Sequence, residues 1–308
     1  MNFKEKSLFR LAHISDLHFS NPSWNPFQFC SKRWLGNLNF LMNRKDALKP
    51  ENLTALFPIF QERNIDAVLI TGDLTSTSHE KEFILAQQFV DCLKQKFKVF
   101  TLPGNHDQYT KKAYKTQLFY QFFNPTYSLP IDSLTSLSLK EDKMTVFNLS
   151  HGWWLFALDT AIATSLTSSN GYFSFELEQA LEKALKEIPL DHHVILVNHF
   201  PVFSNESSRK SLIRREALKA LIEKFPNIKL YLHGHTHRHC IADLRNSDLP
   251  IFLDSGSTAK KDGGTWNLID ITTTGCEVEV FKNRDHAGST LWQPLLKSNF
   301  KWSHNALV

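Results

Sequence analysis

The chain has 308 residues, with 35 Lys+Arg against 31 Asp+Glu, 42% apolar residues and 4 Cys, which excludes a disordered segment, a disulfide scaffold and a collagen-like fibre. A chain of this length buries roughly three quarters of its unfolded surface, so any metal it holds serves chemistry rather than bulk stability. Cys30, Cys92, Cys240 and Cys276 never form a C-x-x-C pair, which removes a zinc ribbon and a thiol redox motif and fits a reducing cytosol.

Met1–Arg10 is charged and runs straight into a strand-like segment, so it does not read as a secretory leader. The apolar runs fall short of the roughly 20 residues a spanning helix needs. In chain order, short runs rich in β-branched residues and Phe predict strands at Leu11–Ile14, Ala67–Thr71, Val99–Leu102, Val194–Val197, Lys229–Leu232, Ile251–Leu253 and Trp266–Ile271. Helical periodicity predicts helices at Glu51–Arg63, kinked or started by Pro58, and at Glu80–Lys96. Two more are predicted at Phe175–Ile188, behind Ser174 as N-cap, and at Ser211–Phe225. The alternation continues without repeat or linker, which predicts one α/β domain over residues 1–308.

The chemically capable residues lie where strands end. They are Asp16-Leu17-His18, Gly72-Asp73, Gly104-Asn105-His106-Asp107, Asn198-His199 and Gly234-His235-Thr236-His237. Open α/β sheets bind ligands outside the carboxyl ends of their strands, so five such ends on one rim predict a site. Asp, Asn and His supply the oxygen and imidazole donors that suit Mn, Fe or Zn. On extended backbone, residues i and i+2 point the same way, so Asp16 with His18, and His235 with His237, are expected to approach a metal in pairs. Glycine before Asp73, Asn105 and His235 lets the chain turn tightly there.

Each motif alone has an ordinary reading as a turn or a helix cap; the ordered set points to metal. His13, His79, His151, His192, His193, His239, His286 and His304 read as core, supporting or surface residues, with His239 the one candidate substrate contact. Ser255 and Ser257 read as a strand-end turn, since no partnered base is visible.

The ordered set D-x-H, G-D, G-N-H-D, N-H and G-H-T-H, running from Asp16 to His237, resembles the calcineurin-like metallophosphoesterases. The resemblance implies an α/β fold, a four-layer αββα sandwich of two mixed β-sheets with helices on the outer faces. It implies Asp16, His18 and His237 on one divalent metal ion, Asn105, His199 and His235 on a second, and Asp73 bridging; Mn is expected, with Fe or Zn as alternatives. Two dications about 3.5–4 Å apart repel and need shared anions between them. The implied reaction is in-line attack on phosphorus by a hydroxide held between the ions. His106 would act as acid to the leaving group, with Asp107 orienting its ring.

Three stretches look like additions to that domain. Residues 22–50 interleave aromatic residues such as Trp24, Phe27, Phe29 and Trp34 with Lys32, Arg33, Arg44, Lys45 and Lys49. This suits a membrane interface or a lipid chain beside phosphate, or else a helix with snorkelling basic ends. Residues 108–132 carry Tyr109, Tyr114, Phe119, Tyr120, Phe122, Phe123 and Tyr127 and read as an apolar lid or a cover for sheet edges. A tail at 285–308 with Trp292, Leu295, Leu296, Phe300 and Trp302 reads as docking or interface.

Within the family, Ser31-Lys32-Arg33-Trp34-Leu35-Gly36 to Asn43-Arg44 resembles the membrane-associated UDP-2,3-diacylglucosamine pyrophosphatases of lipid A synthesis. That implies a lipid-linked nucleotide cleaved to UMP and a lipid 1-phosphate, by a cytoplasmic protein peripheral to the inner face of a membrane. The alternatives are a 3′,5′-cyclic-nucleotide or other phosphodiesterase, and a non-catalytic metal-site scaffold. A net charge of +4 is too weak to mark a long nucleic-acid track.

Overall fold

Strands buried on both faces, with successive side chains pointing into different cores, determine the layering. In the computed structural model, which describes residues 7–21, 32–33, 48, 50–123, 134–165, 167–203, 207–286 and 289–302, one sheet contains β1 (Phe9–Ile14), β2 (Ala67–Ile70), β3 (Lys98–Thr101), β12 (Thr265–Ile271), β13 (Gly275–His286) and β14 (Ser289–Lys301). The other contains β4 (Met144–Ser150), β5 (Trp153–Leu158), β7 (His193–Val197), β9 (Ile228–His233), β10 (His239–Asp243) and β11 (Ile251–Ser255). The short pair β6 (Gly171–Tyr172) and β8 (Leu212–Ile213) stands apart. Both large sheets are mixed: β1, β2 and β3 run parallel while β12 is antiparallel to β1, and β5, β7, β9 and β11 run parallel while β4 and β10 are antiparallel edges.

Period 2 puts Leu155, Ile195, Val197, Leu230, Leu232 and Leu253 of the second sheet into one core with the first sheet. Their neighbours Phe156, Val194, Leu196, Tyr231 and Phe252 face the opposite way, into a second core. That outer core is closed by helices Phe175–Lys186 and Arg215–Lys224, while Leu56–Glu62 and Glu80–Lys94 close the first. The architecture is two mixed sheets face to face with helices outside, as the motifs implied.

Ser174 caps its helix by accepting from the amide of Leu177 at 3.1 Å. The expected helix from Ser211 instead begins at Arg215: Leu212 and Ile213 pair with Gly171 and Tyr172, and Arg214 turns the chain at φ 63°. The segment around Pro58 is a 3-10 turn at Pro50–Ala55 followed by the helix Leu56–Glu62.

The aromatic stretches divide between core and surface. Phe119, Tyr120 and Phe123 are buried, with Phe83 of the Glu80–Lys94 helix among their neighbours, and the Tyr120 hydroxyl donates to Asp159 at 2.5 Å. Within the 108–132 stretch these three side chains are therefore core, while Tyr114 is exposed. The tail is mostly the edge strand β14, with Trp292 and Phe300 buried and Leu291, Leu295 and Leu296 exposed. Of the 22–50 stretch, Lys32, Arg33, Leu48 and Pro50 fall among the described residues; the rest lies outside them. Among the described residues no helix is long and apolar enough to cross a membrane.

Candidate metal centre

The loops that leave β1, β2, β3, β7 and β9 meet where the two sheets come together. The post-strand segments of β1 and β2 run side by side, with Asp16 N–H donating to Gly72 O at 3.1 Å and His18 N–H to Asp73 O at 2.9 Å. The second sheet joins through the His235 amide, which donates to Asp16 Oδ2 at 3.1 Å.

These loops are not extended. Asp16, His18, Asp73, His235 and His237 all have left-handed backbone, at φ 56°, 49°, 54°, 73° and 56°. Such conformations cost about 1–3 kcal/mol each and persist only where surroundings impose them. The i, i+2 strand geometry expected for Asp16 with His18 and for His235 with His237 is thus replaced by tight left-handed turns, and these turns bring the side chains together. Gly104 shows why no Cβ is admitted: one there would lie 2.2 Å from Asp73 Oδ1.

Asp16, His18, Asp73 and His237 each offer one donor atom within 4.8 Å of the others. His18 Nε2 faces His237 Nε2 at 2.9 Å, and His237 Nε2 lies 3.1 Å from Asp16 Oδ1. That oxygen is buried and accepts no hydrogen bond. Burial alone opposes ionising Asp16, but the facing His237 outweighs it and holds the carboxyl well below the usual carboxylate range.

A second group forms beside it. Asn105 Oδ1 lies 2.9 Å from His235 Nδ1 and 3.2 Å from His199 Nε2. The far nitrogens of both rings point at carbonyls that can only accept: His235 Nε2 at Lys210 O, 2.8 Å, and His199 Nδ1 at Thr71 O, 2.7 Å. Those carbonyls place the single proton of each neutral ring on its far side, so that in the neutral form the near nitrogens present lone pairs beside an amide oxygen. Three acceptors so arranged fit a cation among them. His235 is pushed down to about 3 by burial and by His199, which suits the neutral imidazole a metal needs.

Asp73 lies between the groups, with Oδ2 3.5 Å from His199 Nε2 and 3.9 Å from His18 Nε2. Burial opposes its charge, yet His199 and His106 keep its carboxyl well below the ordinary range. Burial likewise opposes a charged His199, but Asp73 carries it up to about 9. The donor set, two carboxylates, one amide oxygen and four imidazoles, fits two borderline-hard divalent ions.

His106 stands at the rim. Its Nδ1 is 2.6 Å from Ser76 O, and its ring meets the edge of His18 with centroids 4.9 Å apart. Asp107 was expected to orient that ring, but its oxygens accept instead from the amides of Leu74, Thr75 and Gly104 and from the Thr75 hydroxyl. Ser76 supplies the orienting carbonyl, because the carboxylate is wholly buried and turned to the backbone. Burial, then the nearby Asp73 charge, push Asp107 up to about 7.

His239 is no substrate contact here, since its Nε2 bonds Asn267 Oδ1 at 2.9 Å. Sequence reasoning missed Asp254, whose Oδ2 takes the Thr236 hydroxyl at 2.5 Å and so secures the residue between His235 and His237. The only hint was its place at another strand end. A cavity of about 280 Å³ opens over the centre, lined by Asp73, Asn105, His106, His235 and His237 together with Ser169, Lys210, Thr236 and Arg238.

A calcineurin-like phosphoesterase family model matches residues 9–239. The chain is 24% identical over 236 residues to a 3′,5′-cyclic-nucleotide phosphodiesterase of Nostoc sp., covering 76% of this chain and 73% of that one. It is 27% identical over 238 residues to the 3′,5′-cyclic adenosine monophosphate phosphodiesterase CpdA of Haemophilus influenzae, covering 76% and 72%. In fold it is similar to a dimetal phosphatase from Danio rerio, at TM-score 0.64 and 12% identity over 97% of this chain and 100% of the other. The chain therefore belongs to the calcineurin-like phosphoesterase family and is a metal-dependent phosphoester hydrolase.

Proposed function

We propose that this protein is a dimetal phosphodiesterase acting on compact, water-exposed phosphodiesters, with 3′,5′-cyclic nucleotides as the substrate class. The observation that carries the dimetal reading is Asp73 Oδ2, set between His199 and His18 at 3.5 and 3.9 Å. In this reading Asp16, His18 and His237 hold one ion, Asn105, His199 and His235 hold the other, and Asp73 serves both. Manganese suits that donor set, with Fe or Zn able to replace it. When bound, the ions supply an activated water near neutral pH and neutralise charge on the phosphoryl oxygens.

The chain's own residues do the rest. His106, held through Nδ1 by Ser76 O at the rim of the cavity, delivers a proton to the leaving-group oxygen. Asp107 holds the Gly104 amide and the Leu74–Thr75 amides, which keeps the His106 and Asp73 loops in register. Lys210 and Arg238 on the cavity wall add positive charge for an anionic substrate.

Three observations favour a cyclic nucleotide over the lipid-linked nucleotide that residues 31–44 suggested. The named relatives are cyclic-nucleotide phosphodiesterases. The cavity, about 280 Å³, is lined by polar side chains among the described residues and lies just below the roughly 300–1,000 Å³ typical of ligand sites. Phe119, Tyr120 and Phe123, which an apolar lid would present to substrate, are buried in the core. Side-by-side turnover of 3′,5′-cyclic AMP, UDP-diacylglucosamine and bis(4-nitrophenyl) phosphate by the Mn-loaded protein tests this. A kcat/KM for the cyclic nucleotide at least about tenfold above the lipid substrate is expected; the reverse order overturns the substrate class.

A further inference from the structure

We propose that Tyr109 and Lys32 are positioning residues for His106: Lys32, tied to Thr164 and Ser168, holds the Tyr109 ring against the imidazole. The inference rests on His106 acting as the acid to the leaving group.

The Ser76 carbonyl fixes one nitrogen of His106 but not the tilt of its ring. Tyr109 supplies the missing constraint, since its ring stacks on the imidazole with centroids 5.2 Å apart and planes 12° apart. His18 meets the same ring edge-on, with an interplanar angle of 89°. His106 is therefore held by a face, an edge and a hydrogen bond. Tyr109 is placed in turn by Ser78, whose hydroxyl accepts the Tyr109 amide at 2.6 Å and donates to His106 O at 2.9 Å.

Lys32 and Arg33 connect this arrangement to both sides of the cavity. Arg33 donates to Ser78 O at 2.9 Å and to Thr77 O at 3.3 Å, next to the Ser76 carbonyl that orients His106. Lys32 Nζ lies 4.5 Å from the centroid of the Tyr109 ring. Its three donor directions meet Thr164 Oγ1 at 2.8 Å, Thr164 O at 3.2 Å and Ser168 O at 3.3 Å. With those donors engaged, Lys32 is placed to hold structure rather than to pair with phosphate. Ser168 precedes Ser169, which lines the same cavity as His106. The dipeptide thus ties the loop after β2 to the loop after β5, with the His106–Tyr109 stack between them. A basic pair for which the sequence left open lipid or membrane contact and snorkelling helix ends is spent on carbonyls and one aromatic face.

General acids are sensitive to such placement, because the proton must travel along a hydrogen bond to the leaving oxygen. Loosening the stack should therefore penalise esters in proportion to how badly they need that proton. The test has two readouts. In metal-free protein with isotope-labelled histidine, NMR of the His106 ring protons reports the shielding that a stacked tyrosine imposes. In Mn-loaded protein, a series of aryl methyl phosphodiesters from nitrophenyl to phenyl gives the dependence of kcat on the leaving group.

Tyr109→Ala and Lys32→Met are expected to move the His106 ring resonances downfield and to cut kcat on the phenyl ester about tenfold, with a smaller loss on the nitrophenyl ester. Tyr109→Phe keeps the ring and should restore both the shift and the leaving-group slope. If His106→Ala leaves the slope unchanged, the acid role itself fails. If His106→Ala steepens the slope while Tyr109→Ala and Lys32→Met keep the wild-type slope and ring shifts, the positioning role alone is overturned. Should Tyr109→Ala fail to fold, Lys32→Met decides by the same two readouts.

Discussion

The Oδ1 oxygen of Asp73 accepts the backbone amide hydrogen of His106 at 2.7 Å. One carboxylate thereby anchors the loop that carries the proposed acid, and leaves Oδ2 to face His18 and His199. Asp73→Asn removes the negative charge from between the two cation positions. It is expected to lower bound metal from two ions per chain to one or fewer, and to weaken the remaining ion at least about 10–100-fold. Metal analysis after dialysis, with calorimetric titration of Mn, measures both; a retained pair of ions would show that Asp73 does not bridge.

His106→Ala should discriminate by leaving group. Turnover of aliphatic diesters such as a cyclic nucleotide is expected to fall about 10²–10⁴-fold, the usual worth of general acid–base catalysis. Bis(4-nitrophenyl) phosphate, whose nitrophenolate leaves without a proton, should lose far less. Initial rates on the two substrates settle the point, and equal losses would take His106 out of the acid role.

Gly234 lies where the sheets touch. A Cβ there would fall 1.9 Å from Ser15 Oγ and 2.6 Å from Asp16 Oδ2, both on the opposite sheet. Gly234→Ala must therefore push the first sheet's ligand loop away. A destabilisation of about 3 kcal/mol is expected, near the top of the common range for single substitutions, with weaker metal binding alongside. Calorimetric unfolding of the metal-free and Mn-loaded protein reads both effects, and an unchanged Tm with full metal content would contradict the close approach.

Acid stability should carry the signature of His13. Its ring is wholly buried, 3.1 Å from the Thr71 hydroxyl; burial, then His233 and His239, push its pKa down from 6.5 to about 3. The unfolded chain takes up this proton below about 6.5 and the folded chain does not until about 3. In that window the unfolded state binds more protons, so the contribution is complete above 6.5 and lost as pH falls. Between pH 7 and 5 the loss is about 2 kcal/mol from this group. Urea titrations of wild type and His13→Gln at the two pH values should show a pH difference smaller by about that amount in the variant; parallel curves would mean His13 titrates normally.

Much of this protein can be read without coordinates. The apolar runs at Ala67–Ile70 and Val194–Val197 show as strands because full burial on both faces leaves no polar residue in them. Ser174 is legible as a cap because a hydroxyl before acids and an amphipathic run has one local use. Order along the chain was enough to collect Asp16, Asp73, Asn105, His199 and His235 as candidates, since each follows a strand and the parallel strands of each sheet end on the same side.

Tertiary structure decided what those residues do with one another. The left-handed turns at Asp16, His18, His235 and His237 follow from packing between sheets, and no local preference of Asp or His demands them. Asp107 faces backbone amides and Ser76 faces the His106 ring because two neighbouring loops interlock, a contact with no trace in residue spacing. Lys32 and Tyr109, 77 positions apart by their numbers, meet at 4.5 Å because chain folding brings distant segments together. Residue type limits what a side chain is able to bond; only the fold selects its partner.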